Sequence, residues 1–397
     1  MSDAASIGDL ARRAWWRLPG FAFGFLDGGS GEEGGLGRNR RRLEAVMLAP
    51  RACTGTKPET GATLFGRDYA LPFGAAPVGM GNLLWPGADL MVARQAARLG
   101  FPVVASTVAT TTLEAIAEAA EGHAWFQLYV SREDRINRDL LARAWAAGIR
   151  ELVVTVDVPV AGDRRRDVRN RFILPFRPGP RFALQVAMAP LWALATLGAG
   201  SPGFPNLARY VGEVDGKTLA GFISSQIKDD LTWDDLRALR DLWRGRLLVK
   251  GIMTAADART ALSMGADGIW VSNHGGRQLD AAPAAIDCLA AIRAALGDGA
   301  VVVMDGGIRS GEDVVRAGAV GADFVFCGRA FYYGAAAAGE AGAARAADLL
   351  AADLRRTLTQ IGCPSWTALN EGWLWRPPSD PHPIMPSAPS TESDSRG

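Results

Sequence analysis

Three histidines occur in the 397-residue chain, His123, His274 and His382, so few positions offer an imidazole base. His274 lies in Ser272-Asn273-His274-Gly275-Gly276-Arg277. A base and a guanidinium three residues apart in one glycine-rich loop could take a proton from a small acid and bind its carboxylate. A histidine in such a loop can equally be structural, so the reading turns on partners. Asp157, after the apolar run 151–155, could fix the His274 tautomer and stabilise the imidazolium. Thr155 stands beside it, and Gln127 and Tyr129 end the run 124–128 with an amide and a phenol. Arg164, Arg165, Arg166 and Arg169 follow Asp157 and read either as an anion site or as a solvated face. Lys250 closes Leu247-Leu248-Val249-Lys250, where an ammonium must face an opening or meet a partner, because burying a lone charge is costly.

Two further stretches suit a phosphate: Asp305-Gly306-Gly307-Ile308-Arg309-Ser310-Gly311 and Gly328-Arg329. Glycines allow close backbone approach, and Arg309 and Arg329 supply charge. The competing reading is two tight turns with surface arginines. No GxGxxG follows a first strand, no GxxxxGK[ST] occurs, and the sequence shows no cluster of metal ligands.

These residues need a frame that brings them together. Between residues 71 and 361, eight short apolar runs (73–76, 102–105, 124–128, 151–155, 247–250, 268–271, 301–304 and 324–327) alternate with helix-like segments such as 89–99, 112–120, 255–264 and 284–296. Eight βα units predict a closed (β/α)8 barrel, with reactive groups at the C-terminal strand ends, where nearly all the residues above fall. An open doubly wound sheet is the alternative. Residues 1–70 read as an N-terminal extension with a helix over 7–16. Residues 377–397, rich in Pro and Ser, read as a disordered tail after a single domain spanning 1–376.

One insertion interrupts the pattern, roughly 175–231, between the fourth strand and its helix. Residues 182–208 carry no charge, but Pro190, Gly198, Gly200 and Pro202 break the apolar run before the about 20 residues a membrane span needs. It reads either as a lid or oligomer contact, or as a segment lying on a membrane surface. Basic and acidic residues nearly cancel, 43 against 42, which argues against a nucleic-acid partner. Four scattered cysteines and the absence of an apolar leader suggest a reducing cytoplasm.

Taken together, these motifs resemble the FMN-dependent 2-hydroxy acid oxidases and dehydrogenases, which include glycolate oxidase, bacterial L-lactate dehydrogenase and (S)-mandelate dehydrogenase. The resemblance runs from Leu18 to about Pro364. It rests chiefly on residues 272–280, Ser-Asn-His-Gly-Gly-Arg-Gln-Leu-Asp, with support from 125–129, 155–157, 170–172 and 305–309. It implies that Pro77, Val78, Gly79, Ser106, Gln127, Thr155, Lys250 and Ser272 surround the ring and ribityl chain of FMN. Asp305, Gly306, Gly307, Arg309, Gly328 and Arg329 would hold the ribityl and phosphate end. Lys250 would stabilise the anionic reduced ring. The resemblance also implies that Arg277 and Arg164 bind the substrate carboxylate, that Tyr129 bonds the hydroxyl or carboxylate, and that His274, paired with Asp157, removes a proton. Phe25 departs from the pattern, standing where the family carries a carboxylate-binding tyrosine. The expected function is oxidation of a lactate-like or mandelate-like L-2-hydroxy acid, with electrons passed to a quinone or respiratory acceptor at the inner membrane. A homo-oligomer, tetramer or dimer, is expected. The alternatives are a soluble oxidase using O2, a phosphate-binding aldolase or isomerase with Lys250 as Schiff-base amine, and a non-catalytic flavin-binding module.

Overall fold

The computed structural model describes residues 3–172, 179–210 and 226–376. The proposed tail, 377–397, and residues 175–178 and 211–225 of the insertion lie outside the described residues. Eight parallel strands close into a barrel in sequential order. They are β1 (Phe73–Ala75), β2 (Val103–Ser106), β3 (Ala124–Leu128), β4 (Glu151–Thr155), β5 (Arg246–Ile252), β6 (Gly268–Val271), β7 (Val301–Met304) and β8 (Phe324–Cys327). Nearly every strand residue is buried, as expected when the barrel interior covers one face and helices the other. β5 runs two residues past Lys250 because its register with β6 shifts between Lys250 and Ile252. That bulge bears on the site.

The N-terminal extension forms three helices, α1 (Ile7–Arg17), α2 (Gly20–Asp27) and α3 (Gly34–Glu44). Ser6 and Asp9 make a reciprocal capping box at the start of α1. Leu18-Pro19 ends α1, and α2 then crosses the C-terminal mouth of the barrel. There, carbonyls of residues 25–28 receive guanidinium donors from Arg277 and Arg329. At the opposite end a short hairpin, Ala62–Leu64 with Arg67–Tyr69, packs Leu64 and Tyr69 inward.

A short helix, Arg165–Arg169, precedes the insertion, whose described part opens as two helices, Pro180–Ala187 and Pro190–Ala199, bent by 102°. Trp192 donates its indole N–H to Leu83 O (2.8 Å), and buried Asn206 accepts from Leu113 N–H (2.9 Å). Phe21 stacks on Phe182 (5.0 Å between centroids) and accepts the edge of Trp192. The described end returns to the barrel, where Lys228 N–H donates to Val130 O and Ile227 pairs with Ser131. The insertion is thus seated on the first three βα loops, as the lid reading requires. Its outer side still leaves Leu184, Met188, Leu191, Leu194 and Leu197 exposed.

Candidate active site

β6 delivers His274 just past its C-terminal end. The residue sits at φ +57°, a left-handed conformation uncommon for a side chain of this size. Hydrogen bonds hold it there. Its N–H donates to Ser272 Oγ (3.0 Å), and Nδ1 lies 3.0 and 3.2 Å from the two Asp157 oxygens. Asp157 arrives from β4, and Gly251 gives it room. A Cβ on Gly251, at φ +105° in the β5 bulge, would stand 2.6 Å from Asp157 Cβ. Burial pushes His274 below its ordinary value, and the Lys250 and Arg164 charges reinforce this against the pull of Asp157. Burial alone would raise Asp157, but His274 and Lys250 outweigh it and hold the carboxyl low. A neutral imidazole that donates from Nδ1 to Asp157 turns its Nε2 lone pair toward Tyr129. Nε2 faces Tyr129 Oη at 3.4 Å, longer than a good hydrogen bond. Burial and Asp157 push the Tyr129 phenol upward, so it stays protonated and can donate.

Around this base stand two guanidinium groups. Arg277 Nη1 donates to the carbonyls of Phe25 (2.7 Å) and Gly28 (2.8 Å), leaving Nε and Nη2 without a hydrogen bond to any described residue. Arg164 precedes the Arg165–Arg169 helix and its carbonyl accepts there from the Asp167 and Val168 N–H groups, while its guanidinium makes no hydrogen bond to a described residue. The Phe25 ring centroid lies 5.1 Å from the Arg277 guanidinium carbon and 5.9 Å from that of Arg164, so the phenyl ring packs beside both cations. Burial, with Arg164 and Arg329 nearby, pushes Arg277 well below its ordinary value. An anion bound here would relieve that. Asp167, one helical turn after Arg164, is also buried, which pushes its carboxyl up against the pull of Arg277 and Arg164. Sequence reasoning missed it, because an aspartate among arginines reads as a surface ion pair.

A second buried cluster lies across the mouth. Lys250 Nζ donates to Ser272 Oγ (2.8 Å) and lies 3.1 Å from Asp305 Oδ2 as an ion pair, and Ser272 Oγ donates to Asp305 Oδ1 (2.6 Å). Ser106 Oγ donates to Gln127 Oε1 (3.0 Å), which leaves Gln127 Nε2 buried without a partner, and Thr155 Oγ1 is likewise unpaired. Unpaired buried polar atoms cost free energy, and their convergence here marks the edge of a polar group the protein is built to hold. Pro77, Val78 and Gly79 follow β1 and are partly exposed at the mouth. A Cβ on Gly79 would press within 2.7 Å of Val108.

Gly306 and Gly307, at φ +111° and +86°, turn the chain after β7 into the helix Gly311–Val320, capped by Ser310. Gly328 opens the helix Arg329–Ile361. Two helix N-termini thus converge beside each other, an arrangement suited to phosphate. The Arg309 guanidinium packs 5.6 Å from the Tyr333 ring centroid. The Arg329 guanidinium also ties the N-terminal segment to the site. Three of its five N–H groups donate to Leu26 O, Gly28 O and Gly275 O, fastening α2 to the His274 loop. His123 lies at the other end of the barrel, its Nδ1 near Ala120 O, and takes no part.

A (β/α)8 barrel with a base–carboxylate pair, two guanidiniums and a polar cofactor cradle at one mouth defines a cofactor-dependent oxidoreductase acting on a small anionic substrate. Residues 14–376 match the FMN-dependent dehydrogenase family, and the chain belongs to it. It is 38% identical over 372 residues to (S)-mandelate dehydrogenase of Pseudomonas putida, covering 93% of each chain. It is 39% identical over 374 residues to L-lactate dehydrogenase of Caulobacter vibrioides, covering 94% of this chain and 97% of that one. The fold matches a crystal structure of the monotopic membrane protein (S)-mandelate dehydrogenase with a TM-score of 0.90 at 36% identity, over 94% of this chain and all of the other. The protein is an FMN-dependent enzyme of the 2-hydroxy acid dehydrogenase and oxidase group.

Proposed function

We propose that the protein oxidises L-2-hydroxy acids carrying an apolar 2-substituent, mandelate-like or larger alkyl, to the 2-oxo acid, and that the electrons pass to a quinone at the membrane. One observation carries the reading of the chemistry: His274, with Nδ1 against Asp157, turns Nε2 toward Tyr129 beside the Arg277 and Arg164 guanidiniums, neither of which is within ion-pair distance of a carboxylate among the described residues. In this account Arg277 and Arg164 hold the substrate carboxylate. Tyr129 donates to the substrate hydroxyl or carboxylate, and His274 Nε2 accepts the proton as the substrate is oxidised. Asp157 stabilises the resulting imidazolium. Gln127 and Thr155 would meet the polar edge of the FMN ring, Lys250 its N1 side, and the N-termini at Gly311 and Arg329, with Arg309, its phosphate. FMN, when bound, supplies the two-electron acceptor that no side chain here can provide.

Phe25 supports an apolar substituent, since its ring places no hydrogen-bond donor between the arginines and packs against Phe172 (5.7 Å). The apolar outer side of the insertion supports a membrane-bound acceptor. No single helix among the described residues is long and apolar enough to cross a bilayer, so the segment would lie on the surface. Anaerobic mixing with a panel of L-2-hydroxy acids should bleach the FMN absorbance, fastest with apolar substituents. Reoxidation should be faster with a quinone analogue than with O2. Bleaching by none of the panel would refute the reaction, and rapid reoxidation by O2 would point to an oxidase.

A further inference from the structure

Trp270 is fully buried in β6, two residues before Ser272 and hence on the same face of the strand. Its indole N–H donates to Asp305 Oδ2 at 3.1 Å, the same oxygen that receives Lys250 Nζ at 3.1 Å. Its ring lies 5.6 Å from Lys250 Nζ, and on the other side it packs on Phe326 at 4.1 Å between centroids. An aromatic aliphatic-like filler would need no such hydrogen bond. Here a neutral donor shares the carboxylate oxygen of a buried ion pair, and that has an electrostatic consequence.

We infer that Trp270 is a positioning residue for the cationic side of the flavin site, sharing Asp305 with Lys250 so that less of the Lys250 charge is neutralised. Asp305 already accepts from Ser272 on its other oxygen. With the indole added, two hydrogen-bond donors and one ammonium divide a single carboxylate, and the ammonium donates to Ser272 Oγ rather than being drawn fully onto Asp305. Without the indole N–H, Asp305 would hold Lys250 more tightly. The site would then offer less positive potential to a ring that gains negative charge on reduction. The inference rests on the proposed place of Lys250 at the N1 side of FMN.

The test is the midpoint potential of the FMN-loaded protein, measured by reductive titration against reference dyes. W270F keeps a ring against Phe326 and removes the N–H. W270M fills the space with a flexible side chain and also lacks the donor, giving a second reading should the phenyl ring disturb the core. Both should bind FMN yet make its reduction harder, with an equilibrium constant about tenfold lower, equivalent to about 30 mV for a two-electron couple. The rate of FMN reduction should fall with KM for the hydroxy acid unchanged. FMN-loaded variants with an unshifted potential would overturn the inference while leaving the reading of the site intact. A wild-type chain that takes up no FMN would overturn both.

Discussion

At His274 two influences oppose each other, and the balance decides how the enzyme works at neutral pH. Burial lowers its proton affinity, while Asp157 holds the remaining proton on Nδ1. The acid limb of kcat/KM should therefore lie below about 6.5, the ordinary value for histidine. The same sign governs stability. The unfolded chain binds a proton here more readily than the folded one, so this contribution is complete above pH about 6.5 and is lost as pH falls toward the folded value. Gly251→Ala should crowd Asp157 and strain the bulge, lowering kcat with little change in KM, as steady-state kinetics on the folded variant would show. Phe25→Tyr would add a donor beside Arg277 and Arg164. If its hydroxyl reaches the carboxylate, kcat/KM for a small acid such as lactate should rise by about 10- to 150-fold, in line with about 1.5–3 kcal/mol for a hydrogen bond to a charged group. An unchanged preference between lactate and mandelate would count against a role for Phe25 in selectivity. The placement of His274, Asp157, Tyr129 and Arg277 just past strand ends, and of Lys250 near the end of one, was legible because apolar runs mark the strands, whereas Arg164 was assigned to the substrate only through the family resemblance. Gly251, Asp167 and Trp270 were not legible. Their roles arise from contacts between different βα units that no local pattern encodes.

The elements divide the work between a rigid barrel and the pieces laid across its mouth. All eight strands were readable because buried parallel strands form continuous apolar runs, and five of them coincide residue for residue with the sequence reading. The hairpin 62–69 was not readable, since its three-residue strands are too short to show a period and Phe65 enters the turn at φ +55°. The seating of the insertion was also hidden, because it depends on single anchors such as Trp192 and Asn206 rather than on a repeating pattern. Those anchors separate its two roles. Replacing exposed Leu184, Met188, Leu191, Leu194 and Leu197 with serine or glutamine should release the protein into the soluble fraction and slow reoxidation by quinone. FMN reduction by the hydroxy acid should persist, because Phe182, Gln185 and Trp192 still clasp the insertion to α2 and the first βα loop. Wild-type protein that never partitions with membranes would contradict the surface assignment.

Across the whole molecule, FMN held as proposed would join the ends of six strands to the two helix N-termini after β7 and β8, so its removal should loosen more than the site. At a free FMN concentration 100 times Kd the cofactor should contribute about 2.7 kcal/mol of stability. Stripping it should lower Tm and readdition should restore it, as thermal melts would show. The central claim is that an L-2-hydroxy acid is held by Arg277 and Arg164 and loses its proton to His274. The most direct measurement is anaerobic single-turnover mixing of FMN-loaded wild type and H274Q with an L-2-hydroxy acid such as mandelate, following flavin absorbance. The account predicts rapid bleaching in the wild type and a loss of about 10²–10⁴-fold in H274Q, with saturation at similar substrate concentrations. Equal bleaching rates in the two proteins would contradict it.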